Sequence, residues 1–169
     1  MTILRVTGKL HRYLPTSPEP CGGSETALGD WYANRLVIDH QPLLLLVSAA
    51  SLLPLVVRAK NVSALPGRLP ELVADRLRRL GVAPDLVQAE VSAMPPVIVA
   101  KTVDRSVVGI LVDFAKTMPY LASRCDDTGL WEIESRLAET PCHASRNRGE
   151  VIIPETKAPE LLLTRWSSR

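Results

Sequence analysis

Leu43-Leu44-Leu45-Leu46-Val47 is a continuous apolar run of strand length. The turn His40-Gln41-Pro42 joins it to residues 31–39, which are rich in aromatic and β-branched side chains. The two runs read as a β-hairpin whose second strand is the more buried. Around this hairpin, residues 3–6 read as a first strand, followed by a helical turn near residues 10–14. Residues 15–27 hold three prolines and two glycines and read as a flexible loop. Residues 48–57 are open to helix or strand; a short helix from Ala49 followed by a strand at residues 55–57 is the preferred assignment.

Pro70 suits a first helical residue, because its missing N–H has no partner there. Leu69, Leu72, Val73, Leu77 and Leu80 then recur at helical spacing, with Asp75 facing Arg79, and Gly81 closes the helix. Pro84 opens a second helix carrying Leu86, Val87 and Val91. Met94-Pro95-Pro96 breaks it, and Val97-Ile98-Val99-Ala100 reads as a strand. A long helix follows from about Arg105, lined by Val107, Leu111, Phe114, Met118 and Leu121, and Pro119 is expected to kink or end it. Asp126-Asp127-Thr128 would cap a last helix whose Trp131, Leu137 and Ala138 face inward, with Glu132 opposite Arg136. Strands early and helices late predict an α+β fold: a small, mainly antiparallel sheet with helices packed on one face. Residues 1–143 are expected to form a single domain, and residues 144–169 a partly ordered tail.

Hydrophobic residues make up 46% and charged residues 22% of the 169 positions, which suits one soluble globular domain. The net charge of +2 points to neither nucleic acid nor an anionic membrane by itself. The most hydrophobic stretch, residues 43–57, is 15 residues long and holds Ser48, Ser51 and Pro54. A membrane span needs about 20 apolar residues, so none is expected. Cys21, Cys125 and Cys142 are widely spaced, which suits reduced thiols in a cytoplasmic protein.

Glycine-rich phosphate loops, nucleophile elbows and paired-histidine metal motifs are missing from the sequence, and no cofactor or metal is expected. Cys142-His143, with Cys125, Asp126 and Asp127 upstream, has the residue types of a metal set, and Cys142-His143 those of a nucleophilic pair; surface loop residues are the preferred reading of both. One segment rises above background: Lys101-Thr102-Val103-Asp104-Arg105-Ser106, where a strand passes into a helix. Amide groups at a helix start attract anions, and Lys101, Thr102, Arg105 and Ser106 would add charge and a hydroxyl. Asp104 as an ordinary N-cap is the competing reading. Asp30, Asn34 and Asp113 are candidate supporting polar residues. Gly109, in a stripe with Ser106, Asp113 and Lys116, would be justified by a close approach of another element or a ligand.

These blocks resemble the signatures of a bacterial domain-of-unknown-function family. The first is Leu28-Gly29-Asp30-Trp31-Tyr32-Ala33-Asn34, with a strand ending in Ile38-Asp39. The second is Lys101-Thr102-Val103-Asp104-Arg105-Ser106-Val107-Val108-Gly109, extended to Asp113, and the third is Leu137-Ala138-Glu139-Thr140-Pro141. Asp104 stands where the family pattern has Asn, and Ile110-Leu111-Val112 stand where it has Ser-Met-Asn. The likeness spans residues 1–143. It implies a small bacterial protein and brings no activity with it.

The favoured functional reading is a non-enzymatic binding or regulatory module with a macromolecular partner. The alternative is an enzyme acting on a phosphate-containing substrate or nucleic acid, with Lys101, Arg105 and Ser106 holding the anion and Asp30 or Asp113 as acid or base. A nucleic-acid binder using Arg76, Arg78, Arg79, Arg146 and Arg148 is a third, for which a solvated helix face is the plainer account.

Overall fold

The computed structural model describes residues 1–122, 129–143 and 149–167. Five strands form one sheet in the order β4-β3-β2-β1-β5: β1 (Thr2–Val6), β2 (Trp31–Ile38), β3 (Gln41–Ser48), β4 (Pro54–Arg58) and β5 (Val97–Lys101). β1 runs parallel to both β2 and β5, whereas β2–β3 and β3–β4 are antiparallel. A separate antiparallel pair joins β6 (Cys142–His143) to β7 (Val151–Ile152). The fold is α+β, and three of these five pairings are antiparallel.

The apolar run in β3 has a simple cause. Side chains alternate across a sheet, and here both faces are covered. Leu44 and Leu46 join Leu4, Val6, Trp31 and Ala33 in a core with α2 (Leu65–Arg79), α3 (Pro84–Ser92) and α6 (Pro154–Trp166). Leu43, Leu45 and Val47 join Tyr32 and Val56 in a second core with α4 (Arg105–Ala122) and α5 (Gly129–Ala138). Helices therefore take both faces, a wider cover than the one-face packing that the element order suggests. No helix among the described residues is long and apolar enough to cross a membrane.

Several local expectations are corrected. Residues 49–52 form a turn and not a helix. The buried Ser48 and Ser51 hydroxyls bond each other at 2.6 Å, the Leu52 amide donates to the Ser48 carbonyl, and Leu52 takes a left-handed φ of 60°. Such side-chain bonds compete with a helix ladder. α2 begins at Leu65, with Pro66 in its first turn, so Pro70 lies inside the helix. Starting early places Leu65 and Leu69 four apart on the buried stripe, which outweighs the hydrogen bond that Pro70 cannot make. Asp75 pairs with Arg78 and not with Arg79. Gly81 ends the helix with φ 81°. α4 runs through Pro119 and does not end there.

In α5, Trp131 is 65% exposed and stacks under Arg79, with the guanidinium carbon 5.2 Å from the ring centre. Ile133 and Glu134 take the inward positions with Leu137 and Ala138. Glu132 does pair with Arg136. The expected cap at Asp126-Asp127-Thr128 lies outside the described residues. α6 belongs to the segment read as a tail; its Ala158 and Leu162, one turn apart, are fully buried against the first core.

Gly109 is exposed on α4, and a methyl group built on it meets no atom within 4 Å. No close approach accounts for this glycine. Gly109→Ala is therefore expected to stabilise the protein by about 1 kcal/mol, read as a higher urea midpoint at unchanged slope.

Candidate functional site

β1 places Ile3 and Arg5 on one face, next to Tyr32 of β2. A guanidinium on an inward-facing strand position must find partners, because an unpaired buried charge is costly. Arg5 is only 5% exposed and uses almost its whole fork. Its Nε donates to Asp30 Oδ2 at 2.6 Å, and Nη1 and Nη2 donate to Glu19 at 3.1 and 2.7 Å. Nη1 also donates to the Lys101 carbonyl at 2.8 Å. The hydrogen bonds to Glu19, opposed by burial and helped by Asp30, hold Arg5 firmly charged. Arg5 in turn lowers the Glu19 carboxyl below its ordinary range.

The loop over this face is pinned in place. The Ile3 amide donates to Ser24 Oγ at 2.9 Å, and Ser24 Oγ donates to Asp30 Oδ1 at 2.7 Å. The Ser17 amide donates to the Val99 carbonyl on the outer edge of β5. After β5 the chain crosses toward β2, where the Asp104 amide donates to the Tyr32 hydroxyl oxygen at 3.2 Å. A recess of about 260 Å³ is left between Arg5, Ser24, Gly29, Asp30, Tyr32, Ala49, Ala50 and Val103. Burial pushes the Tyr32 phenol above the ordinary tyrosine range, so its O–H stays protonated at neutral pH. Its proton has no acceptor among the described residues. Arg5 and Asp30 are the charged residues among those lining the recess, and they pair with each other.

The two stretches singled out in the sequence meet here, with Asp30 on one wall and Val103 on another. Asp104 caps α4, its Oδ1 accepting from the Ser106 amide at 2.9 Å and the Ser106 hydroxyl at 2.7 Å. A carboxylate thus stands where an anion would sit. Lys101 contributes its carbonyl to Arg5, Thr102 is half-buried in the crossing segment, and Arg105 is exposed. Asn34 is turned to Thr7, whose hydroxyl donates to Asn34 Oδ1 at 2.8 Å. Asp113 is exposed two turns along α4, close enough to Cys142 to help raise that thiol.

No local sequence pattern marks Arg5, Glu19 and Ser24 as a set. The one available signal was a charge at Arg5 in phase with the apolar Ile3, which calls for a carboxylate partner without saying which.

Other candidates fall away. Cys142 is buried and its thiol is pushed up to about 11, chiefly by burial, which leaves little thiolate for nucleophilic attack. Cys125, Asp126 and Asp127 of the considered metal set lie outside the described residues. Arg76 is buried, Arg78 pairs with Asp75 and Arg79 pairs with Glu134, so these three do not form an open basic face. Arg146 and Arg148 lie outside the described residues.

A family model described as a domain of unknown function (DUF6933) matches residues 3–157. No curated protein and no solved structure matches the chain.

Proposed function

The chain belongs to the DUF6933 family, and from that premise we propose that it is a non-enzymatic binding module whose recognition site is the recess at Arg5, Ser24, Asp30 and Tyr32. The observation that carries this reading is the Tyr32 hydroxyl, a donor without an acceptor among the described residues, in a recess also lined by Asp30. Asp30 keeps a lone pair on each oxygen beyond those used by Arg5 and Ser24. A ligand group carrying an acceptor and a donor side by side completes both; a primary carboxamide is the simplest such group. The Asp30 carboxylate disfavours a carboxylate or phosphate placed directly beside it.

Binding is favoured over catalysis because Asp30 and Ser24, the groups that could act as base and nucleophile, are held by structural bonds. Asp30 is ion-paired to Arg5 through one oxygen and accepts from Ser24 through the other, which fixes it as part of the loop anchor. Ser24 donates to Asp30 while its oxygen accepts the Ile3 amide, so the hydroxyl ties the loop to β1.

A thermal-shift screen of small carboxamides, carboxylates and phosphates tests the proposal. A carboxamide should raise the melting temperature saturably, and Tyr32→Phe should weaken it by about tenfold, the worth of one hydrogen bond. An unchanged shift in Tyr32→Phe, or conversion of the ligand to product, would overturn it.

A further inference from the structure

We propose that a second recess, on the opposite face of the sheet, binds the phosphate group of a small phosphorylated ligand. It is lined by Gly8, Lys9, Arg12 and Arg35 and measures about 390 Å³. That is within the size range of small-ligand sites. Arg35 stands three positions beyond Tyr32 on β2, so strand alternation turns it to the other side. Gly8, Lys9 and Arg12 come from the turn that follows β1, including α1 (Gly8–His11) and its C-cap.

Charge is the first argument. Three cations converge and no carboxylate lines the recess. None of the three is ion-paired among the described residues. The whole chain has a formal net charge of only +2, so these three side chains by themselves exceed it. Five other arginines are matched to carboxylates: Arg5 to Glu19 and Asp30, Arg76 and Arg79 to Glu134, Arg78 to Asp75 and Arg136 to Glu132. Like charges gathered without counter-charge repel one another.

Preorganisation is the second argument. The Arg12 guanidinium carbon lies 4.8 Å from the centre of the Tyr13 ring, and that of Arg35 lies 5.9 Å from the same ring. Both are within cation–π reach, so one aromatic ring restrains two planar forks. A guanidinium held in place loses less freedom when it grips an oxyanion in bidentate fashion.

Position is the third argument. Leu10 of α1 packs into the core shared with α2, whereas the chain leaving β5 enters α4 on the other face. Val6, the last residue of β1, pairs with Ala33 of β2, so Arg35 lies past the end of β1 and the recess it shares with Gly8, Lys9 and Arg12 sits off that strand's carboxyl end, where open sheets receive ligands.

The test is isothermal titration of the full chain with inorganic pyrophosphate at low ionic strength. One saturable site is expected, with orthophosphate binding more weakly. Lys9→Ala and Arg12→Ala, both at exposed positions that folding does not need, should each weaken binding by about tenfold. Tyr13→Leu leaves every charge in place and should weaken binding about threefold, which a mere cluster of charges would not do. Tyr32→Phe should leave pyrophosphate binding unchanged, which separates this site from the carboxamide recess. Absence of binding to the unmodified protein, or binding that survives Arg12→Ala, overturns the proposal. Tighter binding of a single-stranded oligonucleotide, falling steeply with salt, overturns it in favour of a nucleic-acid surface.

Discussion

Replacing Glu134 with alanine is expected to lower the free energy of unfolding by about 3–5 kcal/mol. Glu134 is 1% exposed, on the inner side of α5. Its Oε1 accepts the Val56 amide of β4 at 2.8 Å, and its Oε2 accepts Arg79 Nη2 at 2.9 Å. The same oxygen lies 3.5 Å from Arg76 Nε, which donates to the Pro54 carbonyl. Burial alone already lowers the Arg76 pKa, and Glu134 is the main counterweight. Alanine would strand a buried guanidinium and an edge-strand amide together. β4 is an outer strand of the sheet, and Glu134 with Arg76 occupies backbone groups that would otherwise invite another strand. Urea unfolding measures the loss. Glu134→Gln, which can keep the Val56 bond while dropping the charge, should lose about half as much. A loss below about 1 kcal/mol in the alanine variant would show that water replaces the carboxylate there.

The second large effect is expected at Glu90. This carboxylate, 1% exposed on α3, accepts the Ala27 and Leu28 amides at 2.9 Å each. It also accepts the Trp166 indole N–H at 2.8 Å. One side chain thus joins α3, the approach to β2 and the last turn of α6. Glu90→Ala leaves three donors to find water and is expected to cost about 2–4 kcal/mol. The effect should be local as well as global. Hydrogen exchange at Ala27 and Leu28 should accelerate well before that of the central strands, because the anchor of that loop has gone. Uniform exchange across the molecule would count against this account. Asp30 lies two residues beyond Leu28, so the same variant should also weaken ligand binding at the proposed recess.

Elements whose local chemistry and tertiary role agree were legible from the residues. The hairpin at β2 and β3 announced itself through Leu43 to Val47, and the end of α2 through Gly81. The lapses fall where distant parts of the chain decide. Pro70 looked like a helix start until Leu65 and Leu69 found a core to fill. Trp131 reads as inward-facing with Leu137 and Ala138, yet Arg79 from another helix gives its ring a place at the surface. Residues 49–52 were lost to helix by two serine hydroxyls that bond each other. Of the residues that line the recess, Asp30 stands out in the sequence, and the segment from Lys101 that carries Val103 does too, because turn and cap chemistry is local. Arg5, Glu19 and Ser24 do not, since their pairing depends on a loop folding back over β1.

β2 is bonded along residues 31–33 to strands on both of its flanks, and it sends alternate side chains to opposite sides. It acts as a party wall between two compartments. Leu44 and Leu46 never meet Leu43, Leu45 or Val47, so a change of bulk in one compartment can reach the other only through a backbone that its neighbours hold still. Each side can be remodelled as if the other were fixed masonry.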